Sequence, residues 1–225
     1  SRGLGDVYKR QTELSDVWQA NLKHPFVQEI GEGTLPVEKF KYYMIQDYVY
    51  LIDYAKIFAL GALKSTDLES MTQFSTILHS TLTDEMALHR QYAAQFNISK
   101  ETLASAQPAP TTLAYTNYLL SVSQTGGQAE LLAALLPCMW GYEAIGKSLS
   151  HSPGSKHVLY SQWIEMYSSP EFSALTKWLI QKFDSITAKQ TVDQRTHLMN
   201  IFKNALRYEV LFWEMAYQEE KWLVQ

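Results

Sequence analysis

The chain has 225 residues, with 19 Lys and Arg, 23 Asp and Glu and a formal net charge of −4. This length is sufficient for one compact hydrophobic core, and the composition does not shift abruptly enough to indicate a second domain. A slightly acidic chain without a basic cluster argues against nucleic acid and against membrane lipid as partners, since both attract basic surfaces.

The cysteine content and the apolar runs bear on the cellular compartment. A single cysteine cannot form an internal disulfide. No secretory leader is recognisable, and no apolar run approaches the roughly 20 residues that span a bilayer. We therefore expect a cytoplasmic protein.

Apolar residues recur at helical spacing along most of the chain, and no stretch alternates at period two. Prolines and glycines fall mostly between the periodic segments. The pattern predicts an all-α fold with a single domain over residues 12–225. Its helices are expected at about 12–30 (interrupted near His24-Pro25), 36–63, 67–96, 111–124, 127–149, 156–167, 171–189 and 191–222. Residues 1–11 carry no helical stripe and resemble a tag or translated adapter sequence, so they are excluded from the functional interpretation.

The helix predicted over 36–63 carries an acid on a stripe of tyrosines. Helical spacing places Asp47 on one face with Tyr43, Tyr50 and Tyr54. Three interpretations fit an acid in this position. Its carboxylate is exposed to solvent beside a buried stripe, it accepts a hydrogen bond from a tyrosine hydroxyl, or it binds the amidine or amine of a ligand ring that stacks between the tyrosines. The spacing leaves these interpretations open.

The helix predicted over 67–96 contains Glu85 and His89, four residues apart on one face. This spacing suits either a helix-stabilising pair or two metal ligands. The sequence lacks a Glu-x-x-His motif that would complete a carboxylate-bridged metal site, so we favour the pair and expect no metal. Phosphate-binding glycine loops, zinc spacings and the Gly-x-Ser-x-Gly nucleophile motif are also missing from the sequence.

The helix predicted over 127–149 holds the one cysteine, Cys138, directly after Pro137 in an apolar run. A free cysteine is most often a small core residue. Two features favour a site instead. Pro137 removes a backbone N–H and kinks the helix at the thiol, and the small residues Ala134 and Gly141 leave space beside the sulfur, on a face that Tyr142 closes.

The last predicted helix places Glu209 on one face with Ala205, Phe212 and Trp213. We expect the pKa of an acid among aromatic rings to be raised, as in a group that donates a proton near neutral pH. The alternative is a surface arrangement with Arg207 on a slightly rotated helix.

Several sequence blocks between residues 12 and 222 form a specific ordered set. They are His24-Pro25-Phe26-Val27, Gly33-Thr34-Leu35-Pro36, Phe40-Lys41-Tyr42-Tyr43, Gln46-Asp47, Glu85-Met86-Ala87-Leu88-His89, Ala133-Ala134-Leu135-Leu136-Pro137-Cys138, Trp140, Tyr142, Tyr208-Glu209, Phe212-Trp213 and Met215-Ala216-Tyr217. In this set the chain resembles the TenA family (thiaminase II or aminopyrimidine aminohydrolase). The resemblance implies a haem-oxygenase-like helical bundle, usually a homotetramer.

The activity that the resemblance implies is hydrolysis of the C–N bond at the pyrimidinylmethyl carbon of small-molecule aminopyrimidines. The expected substrates are 4-amino-5-aminomethyl-2-methylpyrimidine and thiamin. The expected product is 4-amino-5-hydroxymethyl-2-methylpyrimidine, made in thiamin salvage without a metal or organic cofactor. One branch of the family has glutamate in place of the cysteine, so Cys138 indicates the cysteine branch.

The resemblance also implies residue roles. Cys138 would be the nucleophile, Glu209 the acid/base, and Asp47 the carboxylate that binds the aminopyrimidine edge. Four tyrosines would line the pocket and stack on the ring, namely Tyr50, Tyr115, Tyr142 and Tyr167. Two carboxylates disfavour a thiolate, and the sequence places no histidine or lysine to offset them. We therefore expect Cys138 to lose its proton only when substrate binds.

Two other functions use the same scaffold. A pyrimidine-binding or regulatory module would bind the ring without turnover. A di-metal oxidase would use Glu85 and His89 among its ligands.

Overall fold

The computed structural model describes residues 14–224, and within that range it contains helices and no strand, which confirms the all-α class. The α-helices are α1 (Ser15–Leu22), α2 (Pro25–Glu32), α3 (Val37–Leu63), α4 (Leu68–Ser80), α5 (Met86–Gln95), α6 (Lys100–Ala104), α7 (Pro110–Thr125), α8 (Gln128–Leu149), α9 (Ser161–Ser168), α10 (Pro170–Thr187) and α11 (Val192–Gln218). A π-helical turn (Thr81–Glu85) joins α4 to α5, and a 3₁₀ turn (Pro153–Lys156) follows α8. The prediction for residues 1–11 lies outside the described residues.

Local capping explains several of the helix boundaries. Pro25 opens α2, and Nδ1 of His24 accepts a hydrogen bond from the Phe26 N–H. The side chain of Thr191 caps α11 by accepting from the Gln194 N–H. Gly33 ends α2 with a φ of 75°, a left-handed conformation that glycine adopts without strain.

Three expected boundaries differ in the structure. The π-helical turn interrupts the helix expected over 67–96, and the helix expected from residue 156 begins at Ser161. The last helix ends at Gln218, before residue 222, because Glu219 adopts a left-handed φ of 51°. The short helix α6 was not predicted from the sequence.

Helix α8 lies at the centre of the bundle. It packs against α1, α3, α7, α9, α10 and α11. Its residues 131–139 are buried without interruption, as expected for a helix that is apolar on every side. Neither α8 nor any other helix within residues 14–224 combines the length and hydropathy needed to cross a membrane.

A glycine allows α8 to approach α9 closely. A Cβ atom added at Gly146 would lie 2.4 Å from the carbonyl carbon of Tyr167. No side chain larger than hydrogen fits between the two backbones, so the glycine sets how closely α8, which carries Cys138, approaches α9, which carries Tyr167.

Candidate active site

A small cavity lies beside the thiol of Cys138. Residues from α3, the π-helical turn, α8, α9 and α10 line it: Asp47, Tyr50, Leu51, Tyr54, Glu85, Cys138, Met139, Tyr142, Tyr167 and Phe172. Five of the seven site residues expected from the sequence are in this set. The other two, Glu209 and Tyr115, are not among the lining residues and lie beside the cavity, where Glu209 hydrogen bonds to Tyr115 and is close enough to Cys138 to raise the pKa of the thiol.

The cavity is nearly closed. Its volume is about 10 Å³, enough for a single water molecule. Glu85 and Phe172 also line a second cavity of about 430 Å³, which includes exposed residues of α9 and α10. These two side chains therefore lie between the two cavities, and the smaller cavity does not hold a ring-sized ligand unless its lining side chains move.

Asp47 is buried and held by two hydrogen bonds to the same oxygen. Its Oδ2 atom accepts from the Tyr43 hydroxyl at 3.3 Å and lies 2.6 Å from Nε2 of His89. The side chain is 4% exposed, so the interpretation of Asp47 as an exposed surface acid is wrong. The hydrogen-bonded alternative and a ligand-directed carboxylate are both compatible with this geometry.

His89 was not expected to face Asp47. Its Nδ1 atom lies 2.7 Å from the backbone carbonyl oxygen of Glu85, so the ring contacts the backbone of Glu85 rather than its carboxylate. Burial lowers the pKa of His89, but the hydrogen bond and negative charge of Asp47 outweigh burial, and the pKa is raised. The favoured Glu85–His89 side-chain pair is therefore replaced by an Asp47–His89 pair.

A chain of phenols extends from Asp47 to Tyr142. The hydroxyls of Tyr43 and Tyr142 are 2.7 Å apart, and Nε1 of Trp163 donates to the Tyr43 oxygen at 3.3 Å. The Tyr142 and Tyr167 rings meet edge to face with centroids 4.8 Å apart. These contacts fix Tyr142 and Tyr167 as rigid aromatic walls of the cavity.

Glu209 is buried beside the thiol rather than paired at the surface. It is 3% exposed, so the alternative surface arrangement with Arg207 is wrong. The Tyr115 hydroxyl donates to Oε1 of Glu209 at 2.5 Å, which gives Tyr115 a contact with the acid. Burial raises the pKa of Glu209 to about 7, although the hydrogen bond from Tyr115 acts in the opposite direction.

The Cys138 thiol is not activated in this arrangement. Burial raises its pKa well above the ordinary value, and the negative charge of Glu209 adds to this effect, while the nearby Tyr50 hydroxyl acts against it. The Tyr54 hydroxyl donates at 2.7 Å to the Leu135 carbonyl, which is close to Pro137 in sequence. The space expected beside Gly141 is filled by the Asn21 amide, which a Cβ atom at Gly141 would approach to 2.8 Å.

Glu85 lines the cavity, whereas the sequence analysis interpreted it as the helical partner of His89 or as a metal ligand. Its carboxylate accepts from the Tyr167 hydroxyl at 3.2 Å, and burial and the charge of Asp47 raise its pKa to about 7. The Glu85-x-x-x-His89 spacing marked both residues as unusual, but periodicity did not indicate the π-helical turn that ends at Glu85.

The donor atoms of the site do not form a metal centre. Among residues 14–224, no group of three or more His, Cys, Asp or Glu side chains is arranged to hold a metal ion. The structure therefore lends no support to the di-metal alternative.

Comparison with known proteins gives consistent matches over most of the chain. The model of the TENA/THI-4/PQQC family matches residues 11–219. A curated relative from Halalkalibacterium halodurans, an aminopyrimidine aminohydrolase, is 49% identical over 207 residues, which cover 92% of this chain and 92% of the relative.

Solved structures show the same architecture. A protein from a Silicibacter species, described as a TenA family transcription regulator, matches with a TM-score of 0.87 and 31% identity over 94% of this chain and 96% of that chain. A domain from Shewanella denitrificans with a heme oxygenase-like fold matches with a TM-score of 0.71 and 16% identity, over 95% of this chain and 92% of that chain. The second match concerns the fold alone, and it confirms the expected haem-oxygenase-like bundle.

Proposed function

Because the chain belongs to the TENA/THI-4/PQQC family, we propose that it is an aminopyrimidine aminohydrolase of the thiaminase II type. It hydrolyses 4-amino-5-aminomethyl-2-methylpyrimidine and thiamin to 4-amino-5-hydroxymethyl-2-methylpyrimidine, as a step of thiamin salvage. The observation that carries the proposal is the enclosure of one thiol, Cys138, with the carboxyl groups of Asp47 and Glu209.

Asp47 binds the aminopyrimidine edge. Within the described residues, both hydrogen bonds of its carboxyl group reach Oδ2, so Oδ1 is available to a ligand in the cavity. An aminopyrimidine presents an amino N–H and, when its ring nitrogen is protonated, a second N–H beside it. A carboxylate oxygen accepts charge-assisted hydrogen bonds from such donors.

Aromatic side chains hold the ring of the substrate. Tyr50, Tyr142 and Tyr167 line the cavity together with Phe172. The Tyr50 hydroxyl is buried and makes no direct hydrogen bond within the described residues, although it is close enough to Cys138 to influence the thiol. A bound ligand would satisfy this hydroxyl, which supports its place in the binding pocket.

Cys138 is the nucleophile. Its thiol proton passes to the ring nitrogen, and the thiolate forms a bond to a ring carbon next to the one that bears the aminomethyl group. This addition breaks the aromaticity of the ring, and the ring electrons then break the exocyclic C–N bond. Water adds to the exocyclic methylene carbon, and departure of the thiolate, which recovers its proton, restores the aromatic ring.

Glu209 transfers protons at the exocyclic carbon. Its pKa of about 7 keeps a substantial protonated fraction near neutral pH, so the carboxylic acid can protonate the leaving amine. The resulting carboxylate then accepts a proton from the attacking water. With the aminomethyl substrate, substrate and water give product and ammonia. With thiamin, the quaternary nitrogen leaves as part of a neutral thiazole and needs no proton, and water supplies the hydroxyl group and releases a proton. Neither reaction requires an oxidant, a metal or an organic cofactor.

The thiol loses its proton after substrate binds. The raised pKa of Cys138 in the free protein supports this order, because few thiolates exist at neutral pH until a proton acceptor enters the cavity. The ring nitrogen of the aminopyrimidine supplies that acceptor.

We also propose that the protein is a cytoplasmic homotetramer. The resemblance to the TenA family supports the tetramer, and an interface would cover apolar side chains such as Leu63, Leu68, Val158 and Val192, which are each at least 77% exposed. Sedimentation analysis tests the tetramer, and a monomer at micromolar concentration would contradict it. The single cysteine of the chain, which cannot form an internal disulfide, supports the cytoplasmic location.

Release of hydroxymethyl-pyrimidine from both substrates tests the activity. We expect turnover by the wild type, and losses in kcat of about 10²- to 10⁴-fold for Glu209→Gln, the range for removal of a general acid. Cys138→Ser should lose turnover and still bind the product. Glu214→Gln is the matched control, because Glu214 is on the same helix and its side chain is 50% exposed. Absence of release by the wild type, with equal product binding by Cys138→Ser, would favour the binding or regulatory module.

A further inference from the structure

His89 is a buried residue with both ring nitrogens engaged. It is 1% exposed, with Nδ1 2.7 Å from the Glu85 carbonyl oxygen and Nε2 2.6 Å from Oδ2 of Asp47. It does not line the cavity that contains Cys138. Asp47 is the cavity side chain to which His89 hydrogen bonds, so Asp47 is the most direct route by which His89 influences the reaction.

The hydrogen bonds restrict where the protons of this pair can be. A backbone carbonyl oxygen only accepts, so Nδ1 of His89 carries a hydrogen and donates to Glu85. Nε2 then either accepts from a protonated Asp47 or, in an imidazolium, donates to the Asp47 carboxylate. The Tyr43 hydroxyl donates to the same Oδ2 atom, and an oxygen that accepts two hydrogen bonds is better suited to a carboxylate than to a protonated acid.

The surroundings of His89 favour a positive charge. Asp47 faces it from α3, and Glu85 lies one turn before it on its own segment. The Tyr43 hydroxyl is linked to it through Asp47, and the Tyr167 hydroxyl donates to Glu85. Burial opposes the charge, but the nearby carboxyl groups outweigh burial and raise the pKa of His89.

We propose that His89 is a positioning residue that directs Oδ1 of Asp47 toward the cavity and, as an imidazolium, keeps Asp47 ionised when the aminopyrimidine binds. This inference rests on the proposed function. An ionised Asp47 accepts hydrogen bonds from the amino group and from the protonated ring nitrogen, so it stabilises the ring after the thiol proton has moved there. The imidazolium also neutralises Asp47, one of the three carboxyl groups that oppose thiolate formation at Cys138.

Two substitutions of His89 separate its effect on the orientation of Asp47 from the effect of its own positive charge. In His89→Gln, the amide nitrogen is placed to donate to Asp47 without a positive charge. In His89→Asn, the shorter amide is placed to donate to the Glu85 carbonyl and does not reach Asp47. We expect His89→Asn to lose about 100-fold in kcat/KM, with KM raised and kcat lowered, because a small misplacement of a binding group has an effect of this size. His89→Gln should restore KM to within about threefold of the wild type, while kcat stays about tenfold low.

His24 provides a matched control. Its Nε2 atom lies 2.7 Å from Oε2 of Glu214, and its Nδ1 accepts from the Phe26 N–H, so it forms a similar pair away from the cavity. His24→Gln should leave kcat and KM unchanged once the variant is shown to be folded by circular dichroism. Wild-type kcat in His89→Gln would overturn the charge role, and unchanged kinetics in His89→Asn would overturn the positioning role.

The charge on His89 is measurable without turnover. In ¹⁵N-histidine NMR of the intact protein near pH 7.5, we expect both His89 nitrogens to show imidazolium shifts, with the signal assigned by its loss in whichever His89 variant folds. A neutral imidazole would overturn the proposal. If the wild type turns over neither substrate, the proposed function fails, whereas the NMR result still decides the state of the pair. If the wild type is active and both variants match it, this inference alone fails.

Discussion

The hydroxyl of Tyr115 on α7 donates a 2.5 Å hydrogen bond to Oε1 of Glu209 on α11. This bond lowers the pKa of an acid that burial alone would raise further. Tyr115 therefore tunes the group that transfers protons in the proposed reaction, and it does so from outside the residues that line the cavity.

Tyr115→Phe should move the alkaline limb of the kcat profile to higher pH. The substitution removes a hydrogen bond that favours the ionised acid, so the pKa of Glu209 should increase from about 7. A general acid acts while it is protonated, and kcat should then decline at a higher pH than in the wild type. Measurement of kcat between pH 6 and pH 9 checks the shift.

Tyr118→Phe is the control for this shift. The rings of Tyr115 and Tyr118 both pack against Tyr208. The Tyr118 hydroxyl, however, accepts a hydrogen bond from Asn204 and does not contact Glu209. An equal shift in both variants, or a shift of Tyr115→Phe to lower pH, would contradict the assignment of Glu209.

Glu209→Gln should stabilise the protein at alkaline pH. Burial raises the pKa of Glu209 from 4.5 to about 7, so the folded state binds its proton more tightly than the unfolded state. The free energy of unfolding therefore falls as the pH rises from about 4.5 to about 7, and the loss then stays constant at about 3 kcal/mol. Glutamine has no proton to lose, so the variant should gain little at pH 5 and about 3 kcal/mol at pH 8 relative to the wild type.

Urea unfolding at pH 5 and pH 8, at one protein concentration, measures this difference. Glu85 titrates in the same range, but it is present in both proteins and cancels from the comparison. A stability difference that is independent of pH would show that Glu209 has no raised pKa.

Cys138 should react slowly with iodoacetamide in the free protein. Burial and the charge of Glu209 raise its pKa, so few thiolates are present at pH 7.5, and the side chain is only 7% exposed. Glu209→Gln should accelerate alkylation at constant pH because it removes the negative charge without opening the cavity. Mass spectrometry follows the reaction at a single site, since the chain has one cysteine.

The urea-denatured protein gives the reference rate for an exposed thiol, and Glu214→Gln controls for the loss of a carboxylate elsewhere on α11. Rapid alkylation of the folded wild type, with a midpoint below about pH 8, would mean that the thiolate exists before substrate binds.

Gly146→Ala should destabilise the protein by about 1–3 kcal/mol, the usual range for overpacking. The new methyl group would lie 2.4 Å from the Tyr167 carbonyl carbon, which is backbone and cannot rotate away. Without a steric contact, alanine would stabilise a helix by about 1 kcal/mol relative to glycine. A loss of stability in the variant therefore indicates the close contact with Tyr167. Displacement of Tyr167 should also lower kcat/KM.

Thermal and urea unfolding measure the stability of this variant. Gly127→Ala is the control, since its added Cβ would have Oε2 of Glu130 as nearest atom, at an ordinary 3.4 Å. We expect a change of less than about 1 kcal/mol there. Equal or improved stability of Gly146→Ala would contradict the close approach of α8 and α9.

Sequence alone determined the all-α class, most helix boundaries and the three reactive candidates. Periodicity near 3.6 residues shows which side of a helix is apolar, and Asp47, Cys138 and Glu209 stood out because each departs from that pattern. Prolines begin α2, α7 and α10, and glycines follow the last residues of α2 and α7, as their backbone preferences predict.

Only the tertiary structure decided how these residues meet. Periodicity does not say which helix faces which, so the hydrogen bonds of His89 to Asp47 and of Tyr115 to Glu209 had no sequence signal. The π-helical turn ending at Glu85 adds a residue to one turn, and it therefore changes the face on which the following residues lie. Burial in the assembled bundle, a property of packing rather than of spacing, raises the pKa values of Glu209 and Cys138.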